Sequence, residues 1–311
     1  MNRSIITRAT AIFALAPLAL WLPGCTADAS GGPPAGAEKT STTSEALDPG
    51  YYYWVWGTPG NDGQELTLQP FATWTCALAG VSGEIAGHPP NYVGGGIYKG
   101  EVRSIAGVYM APDGNWHLRT HAGIGTGVMG YAVCISTAQN RTEFNWQDNQ
   151  TSLGVAATSN RQCFLKEIWA NNGLWLTDNA AHPIATIKIT RRANQTFDMN
   201  DSFVSEFPPV GFDMAGATAV CVDIPPSSQW AFSFNPPANV SQTTTLRDSF
   251  PSGAPVPLAG VGCFLTGIWG DFANPTSWTD GVYAVNNSNV SPDWQVTASN
   301  AHGGSFQCFG L

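Results

Sequence analysis

The densest group of residues that could do chemistry is the short segment WHLRTH, which runs from Trp116 to His121. If this segment is a strand, His117, Arg119 and His121 point to one face, because successive side chains of a strand alternate between faces. Two imidazoles beside a guanidinium could bind a carboxylate or a sulfate, or supply a general acid and base. The alternative is an exposed strand face whose polar side chains simply meet water. These three residues are therefore candidate ligand-binding residues.

No metal and no cofactor are predicted. A charged arginine between two histidines opposes a cation, and the sequence offers no third ligand beside them. The string GTGVMG, from Gly125 to Gly130, matches the glycine pattern of a dinucleotide-binding loop. A strand-like segment follows it, where such a loop requires a helix. The motifs GxSxG, HExxH and CxxC do not occur in the sequence, so no common hydrolase or zinc signature is present.

Carboxylates leave one enzymatic alternative open. A glycosidase needs two carboxyl groups about 5 to 9.5 Å apart, and no sequence motif is required to encode them. The sequence does not rank its acidic candidates, which are Glu84, Glu101, Asp113, Asp198, Asp201, Asp271 and Asp293. An extracellular enzyme that degrades polysaccharide, with its site between structural units, therefore stays an alternative.

Tryptophan is abundant, with 12 residues in the chain. Four of them stand in matching sequence contexts and are expected in the core because large rings tend to be buried: Trp116, Trp169, Trp269 and Trp294. Trp175 and Trp278 fall outside that shared pattern. They could be platforms on which sugar rings stack, or they could pack under loops. Both are added to the candidate ligand-binding residues.

The elements that position these residues repeat along the chain. The octet CALAGVSG begins at Cys76, and the related octets CFLKEIWA and CFLTGIWG begin at Cys163 and Cys263. An aromatic run precedes each octet, beginning with YYYWVW at Tyr51. Recurrence of this kind indicates repeated structural units. Both faces of the octet are largely apolar, which predicts a strand in the middle of a sheet.

The fold class predicted is all-β. Short β-branched and aromatic runs alternate with Gly, Pro, Asn and Asp, and no long stretch carries a capped helical stripe. We expect three disulfide-containing units of about 85 residues each, at 51–140, 141–227 and 228–311. The units are expected to pack in tandem or around a pseudo-threefold axis.

Cysteine usage agrees with an exported chain. Six cysteines remain after Cys25, and an even number in such a chain suggests disulfides. One scheme closes each unit with separations of 58, 58 and 45 residues, pairing Cys76 with Cys134, Cys163 with Cys221, and Cys263 with Cys308. A rival scheme joins neighbouring units, pairing Cys134 with Cys163, Cys221 with Cys263, and Cys76 with Cys308. The repeated spacing favours the first scheme.

The N-terminal 50 residues are interpreted as an export signal followed by a flexible tether. Residues 1–24 combine two arginines with a short apolar run, a pattern typical of an export signal. The string LPGC resembles a bacterial lipobox, which predicts lipidation at Cys25, although Pro23 leaves ordinary signal cleavage as an alternative. Residues 25–50 contain almost no large apolar side chain and are expected to be a flexible tether. The predicted location is the outer membrane or cell surface, or otherwise the medium.

Composition narrows the function classes. Only 11% of the residues are charged and the formal net charge is −9, so the chain lacks the basic surface that a nucleic acid needs. With the export signal, the repeat and the abundance of Trp, Asn and Thr, this favours a surface-anchored module for glycan binding or adhesion. A polysaccharide-degrading enzyme and a structural envelope lipoprotein are the alternatives, and catalysis is the less favoured interpretation.

Overall fold

The computed structural model describes residues 51–57, 65–85, 91–92, 98–99, 104–121, 127–136, 139–147, 153, 155–158, 160–170, 174–176, 186–191, 196–200, 215–224, 229–237, 240–247 and 253–310. Every regular element in these residues is a strand, so the prediction of an all-β fold is confirmed. The strands are β1 (Tyr51–Trp56), β2 (Glu65–Pro70), β3 (Thr75–Gly83), β4 (Asn91–Tyr92), β5 (Tyr98–Lys99), β6 (Ser104–Met110), β7 (Asn115–His121), β8 (Val128–Ile135), β9 (Gln139–Gln147), β10 (Val155–Ala156), β11 (Arg161–Ala170), β12 (Trp175–Leu176), β13 (Ile187–Arg191), β14 (Thr196–Asn200), β15 (Ala215–Asp223), β16 (Gln229–Phe234), β17 (Ser241–Thr245), β18 (Val261–Asp271), β19 (Gly281–Val285), β20 (Gln295–Ser299) and β21 (Gly303–Gly310). The described residues hold no helix that could cross a membrane. The predicted export signal, Cys25 and the tether lie outside them.

Three large sheets contain most of the strands, and all their pairings are antiparallel. Sheet I has the strand order β1-β8-β3-β19-β20-β17. Sheet II has the order β2-β7-β6-β11-β15-β9. Sheet III has the order β10-β14-β13-β18-β21-β16, with β12 paired to β18, and β4 and β5 form a separate two-stranded sheet.

Each large sheet joins strands from two of the predicted segments. Sheet I combines β1, β3 and β8 of segment 51–140 with β17, β19 and β20 of segment 228–311. Sheet II combines β11, β15 and most of β9 from segment 141–227 with β2, β6 and β7 of the first segment. Sheet III combines β16, β18 and β21 of the third segment with β10, β12, β13 and β14 of the second. All described strands belong to one compact unit. The segment boundaries stay a prediction. Because each large sheet contains strands from two segments, the segments are not separate domains joined end to end.

The three octets form the central strands β3, β11 and β18. The pairing register shifts immediately after the octet leucine, between Leu78 and Gly80, Leu165 and Glu167, and Leu265 and Gly267. An extra residue at such a β-bulge bends the strand. Beyond the bulge, each octet strand pairs with a strand from another segment, β3 with β19, β11 with β6 and β18 with β13. The bulges therefore lie where the two halves of each sheet join.

The octet strands are buried on both faces, as their apolar pattern predicts. Every residue of β3 is buried, and within β11 only Glu167 is not. The three octet strands contact one another. Phe164 of β11 stacks on Phe264 of β18 with ring centroids 4.3 Å apart, and its ring meets the edge of Phe309 at 5.6 Å. One continuous apolar core therefore connects all three sheets.

Three disulfides tie the octet strands to their neighbours. The bonds join Cys76 to Cys134, Cys163 to Cys221, and Cys263 to Cys308. In each pair the cysteines lie directly opposite on adjacent strands, with Cα atoms 4.0 to 4.1 Å apart. The scheme favoured by the repeated spacing is the one formed, and the rival scheme is not. Three disulfides are compatible with an exported location.

Two buried tryptophans join one sheet to the next. The indole Nε1 of Trp116 in sheet II donates to the carbonyl of Trp74 at 2.8 Å, and that of Trp294 donates to the carbonyl of Val261 at 2.9 Å. Both carbonyls belong to the residue two positions before an octet cysteine. Three of the four tryptophans expected in the core are buried, namely Trp116, Trp169 and Trp294. Trp269 is partly exposed and packs against the edge of the apolar core.

Candidate functional site

Strand β7 positions the predicted triplet as its alternating pattern requires. Along β7, Trp116, Leu118 and Thr120 are buried and the residues between them are partly exposed. His117 and Arg119 therefore point away from the apolar core of sheet II. The antiparallel neighbours β2 and β6 bring further side chains to the same face, because directly opposed residues in a sheet share a face.

A tight turn between β6 and β7 supplies an acidic partner for His117. The amide of Gly114, at φ +88°, donates to the carbonyl of Ala111 at 3.2 Å, and the amide of Asn115 donates to Asp113 Oδ1 at 2.9 Å. Glycine adopts this positive φ without steric cost. The turn returns Asp113 to the strand, where its Oδ2 lies 2.8 Å from His117 Nε2. The turn formed by residues 112–115 therefore places a carboxylate on the Nε2 side of the His117 ring.

His117 also meets a second carboxylate. Its Nδ1 lies 3.2 Å from Glu65 Oε2 of β2, and the same carboxylate oxygen accepts a 2.5 Å bond from the Tyr109 hydroxyl of β6. A protonated ring donates to both carboxylates, whereas a neutral ring donates to one. The bonds from His117 and from the Asn115 amide lower the pKa of the Asp113 carboxyl. Burial, together with the bond to Glu65, raises the pKa of Tyr109 to about 12.

Arg119 is held by a carboxylate two strands away. Its Nη2 and Nε donate to Glu167 Oε2 at 2.6 and 3.2 Å, and its Cζ lies 4.7 Å from the centre of the Tyr109 ring. Gly107 of β6 lies between them, directly opposite both Arg119 and Glu167. A Cβ at Gly107 would lie 2.6 Å from the Cβ of Glu167. The missing side chain therefore lets the guanidinium reach across β6.

These residues form one connected group, which we call the charged face: Glu65, Tyr109, Asp113, His117, Arg119 and Glu167. The side chains of Glu65 and Arg119 are each 35% exposed, so solvent reaches the group. Three carboxylates face one guanidinium and one imidazole, which makes the group net negative in either form of His117. Binding of a carboxylate or sulfate by His117 and Arg119 is therefore opposed by partners that are already in place.

The other predicted ligand-binding residues are not brought into this group. His121 shares the face of β7 and lies opposite Ile105. Trp175 belongs to β12, which pairs with β18 of sheet III, and its side chain lies outside the described residues. Trp278 is partly exposed in the loop between β18 and β19. The structure therefore places His117 and Arg119 in one group, and a ligand site formed by all five residues stays a prediction.

Sequence reasoning missed most of the acidic half of the charged face. Asp113 is one unranked carboxylate among several in the sequence, and neither Glu65 nor Glu167 is among those candidates. One signal for Glu167 is present, because the other two octets have Gly80 and Gly267 at its position. A charged residue in an otherwise buried strand needs a partner, and that requirement points to an arginine on a neighbouring strand.

No metal site accompanies the charged face. Within the part of the chain that the structure describes, no group of three His, Cys, Asp or Glu side chains is arranged to hold a metal ion. The short bonds from Tyr109 to Glu65 and from Arg119 to Glu167 instead satisfy these groups among themselves. The arrangement offers fixed hydrogen-bond donors and acceptors beside an aromatic ring.

Comparison with known proteins gives no assignment, because no protein-family model and no curated protein matches the chain. The assignment of a function therefore depends on the geometry of the site.

Proposed function

We propose that this chain is a surface-anchored glycan-binding module and that the charged face binds neutral sugar. The observation that carries the proposal is the fixed network around Tyr109, in which Glu65 accepts from Tyr109 and Arg119 packs over the ring. A sugar presents vicinal hydroxyls that both donate and accept, together with apolar C–H edges. Carboxylates, a guanidinium and an aromatic ring on one face match these groups.

The network supports binding because its side chains are ordered before a ligand arrives. Ordering a long side chain on binding costs about 0.5–1.5 kcal/mol, and residues already held by partners avoid much of that cost. Arg119 is held by Glu167, and His117 is held between Glu65 and Asp113. The net negative charge of the face favours a neutral saccharide over an acidic one.

The predicted lipid anchor would locate this glycan binding at the membrane surface. Lipidation at Cys25 and the tether of residues 25–50 would hold the β-sheet body away from the membrane. A lipoprotein at the outer membrane or cell surface that binds glycan would serve adhesion or polysaccharide capture. The three disulfides agree with such a location.

An immobilised panel of neutral polysaccharides, probed with the full chain, tests the proposal. We expect binding to at least one member, and an Arg119→Gln variant should bind about ten- to a hundredfold more weakly because a charge-assisted bond contributes about 1.5–3 kcal/mol. Thr297→Ala is the matched control, because Thr297 of sheet I lies opposite Tyr283 as Arg119 lies opposite Gly107. The control should bind as the wild type does.

The same samples separate the alternatives. Release of reducing ends or unsaturated products would favour the polysaccharide-degrading enzyme. Absence of both binding and products would reject the glycan proposal and favour a structural envelope protein. Equal binding by the wild type and Arg119→Gln would remove the charged face from the function.

A further inference from the structure

Sheet III carries a row of paired positions equivalent to the row that holds Arg119 and Glu167 in sheet II. Lys188 of β13 lies opposite Gly267 of β18, which lies opposite Ser305 of β21, and Ser305 lies opposite Ser233 of β16. Residues paired in this way share one face of the sheet. The row therefore has an amine and two serine hydroxyls where sheet II has an ion pair, with Ser233 exposed and Ser305 buried.

The absence of a side chain at Gly267 lets the side chain of Lys188 lie close to Ser305. A Cβ at Gly267 would lie 2.7 Å from Ser305 Oγ and 2.8 Å from Lys188 Cγ. The stem of Lys188 therefore lies across Gly267, beside Ser305. The hydroxyl of Thr266, the bulge residue, donates to Ser305 Oγ at 3.1 Å, and Ser305 is buried within this row.

Lys188 has no acidic partner in the described part of the chain, where its ammonium forms no ion pair. Lys166, by contrast, is buried and lies 2.6 Å from Glu143 Oε2. Asp198 lies opposite Thr190 and therefore on the same face as Lys188. It is fully buried and has interactions of its own. Lys188 is partly exposed, so its ammonium can meet an anion from solvent.

Trp269 adds an aromatic platform to this face. It lies two residues beyond Gly267 and therefore on the same side of β18. A Cβ at Gly303 would overlap the Trp269 ring, so the ring lies directly over that glycine, and its Nε1 donates to Asn235 Oδ1 at 3.0 Å. The ring also packs against the apolar core, and because Trp269 is only partly buried, part of its surface is open to solvent. The platform lies about 7 Å along the strand from the row of Lys188.

We infer that this face of sheet III is a second binding site, which takes an acidic saccharide. The carboxylate or sulfate of the sugar binds the partly exposed Lys188, and a sugar ring stacks on the exposed part of Trp269. The distance from Ser233 to Lys188 spans three strand spacings, about 14 Å, which accommodates more than one sugar ring. The inference rests on the proposed function for its class of ligand, but it assigns a different face and an anionic member of that class.

Titration calorimetry on the full chain tests the site with oligosaccharides of one backbone in neutral, carboxylated and sulfated forms. We expect the wild type to bind an acidic form, with an affinity that falls as salt rises. Lys188→Gln should weaken this binding about tenfold and flatten its salt dependence, whereas Lys188→Arg should retain it. Trp269→Ala should also weaken it about tenfold, and Arg247→Gln, which removes one exposed cation elsewhere, should leave it unchanged.

Each form of the oligosaccharide tests a different point. Preference for the carboxylated or the sulfated form identifies which anionic group the site takes. Failure of the wild type to bind either acidic form, or equal binding by wild type and Lys188→Gln, overturns the inference. The neutral form measured on the same sample tests the proposed function independently. Circular dichroism on each variant excludes misfolding as the cause of a loss, and a misfolded Trp269→Ala is replaced by Trp269→Leu.

Discussion

At the residue scale, the chemistry of the charged face depends on the partners of His117 and Arg119. A histidine and an arginine side by side would form a cationic patch if they faced water. Here Asp113 and Glu65 contact the imidazole and Glu167 contacts the guanidinium. The face is consequently an organised set of donors and acceptors without a free cation, which is why neutral sugar fits it better than an anion.

The Asp113 carboxyl reports directly on this arrangement. Replacing His117 with Ala should raise the pKa of Asp113 toward its ordinary value, because the bond from His117 is the largest cause of the lowering. The amide of Asn115 should retain part of the effect. Asp113 stabilises the fold above its unfolded-state pKa, and this contribution disappears as the pH falls through its lower folded pKa. Titration of the Asp113 carboxyl by NMR measures the change.

His121→Ala is the control for that titration. His121 points to the same face of β7 but lies away from the turn that holds Asp113. The pKa of Asp113 should therefore stay low in this variant. An unchanged pKa in His117→Ala would show that the bond to His117 does not form in solution.

At the element scale, the joint between the two halves of each sheet requires a glycine. Sheets I and III place it on the octet strand, where Gly80 lies opposite Tyr283 and Gly267 lies opposite Lys188. Sheet II places it on the neighbouring strand, where Gly107 lies opposite Glu167. A Cβ at any of the three glycines would meet the opposing residue at less than 3.0 Å. Each joint therefore has at least one glycine that makes room for a large side chain, and that side chain differs from sheet to sheet; sheet I has a second glycine, Gly281, opposite Ser82.

The steric role of the glycine at the joint can be tested in sheet II. Gly107→Ala should destabilise the fold by about 1–3 kcal/mol, because the new Cβ overlaps Glu167 and a crowded interior must shift. Adding Glu167→Gly removes the obstacle and restores the arrangement of sheet III. Glu167→Gly by itself costs stability, because it removes the bonds from Arg119 and places a glycine inside a strand. Gly107→Ala should therefore cost less in the Glu167→Gly background than in the wild type. Denaturant unfolding of the wild type, the two single variants and the double variant measures both costs, and an equal or larger cost in the Glu167→Gly background would contradict the steric explanation.

At the scale of the whole molecule, no large sheet is formed by the strands of one predicted segment alone. Each segment gives three strands to one sheet and at least three to another, so opening one segment disrupts two sheets. The aromatic contact of Phe164 with Phe264 joins sheets II and III through the core. We therefore expect the body to unfold as one cooperative unit.

Removal of one disulfide tests this unity. Replacing Cys163 and Cys221 with Ala should lower the free energy of unfolding by about 4 kcal/mol, since the bond closes a 58-residue loop. Replacing Cys263 and Cys308 should cost nearly as much, because that loop spans 45 residues. Tryptophan fluorescence and circular dichroism should report coincident transitions in both variants. Two separated transitions would indicate that the segments fold independently.

The sequence determined the features that depend on local pattern. Alternation along WHLRTH set which side chains of β7 face solvent, and the apolar octets set the central strands. Two equal cysteine separations of 58 residues favoured the disulfides that form, because segments of similar sequence are expected to place a cross-strand bond at the same separation. These features follow from the order of residues within one strand or one segment.

Tertiary structure decided which strands meet. The sharing of sheets between segments, the approach of Glu65 and Glu167 to β7, and the placement of Lys188 opposite Gly267 all depend on register between distant strands. A period of two along one strand does not specify the partner or the register of another. The free energy of packing three sheets around one core selects them together, so the chemistry of each face emerged only with the folded molecule.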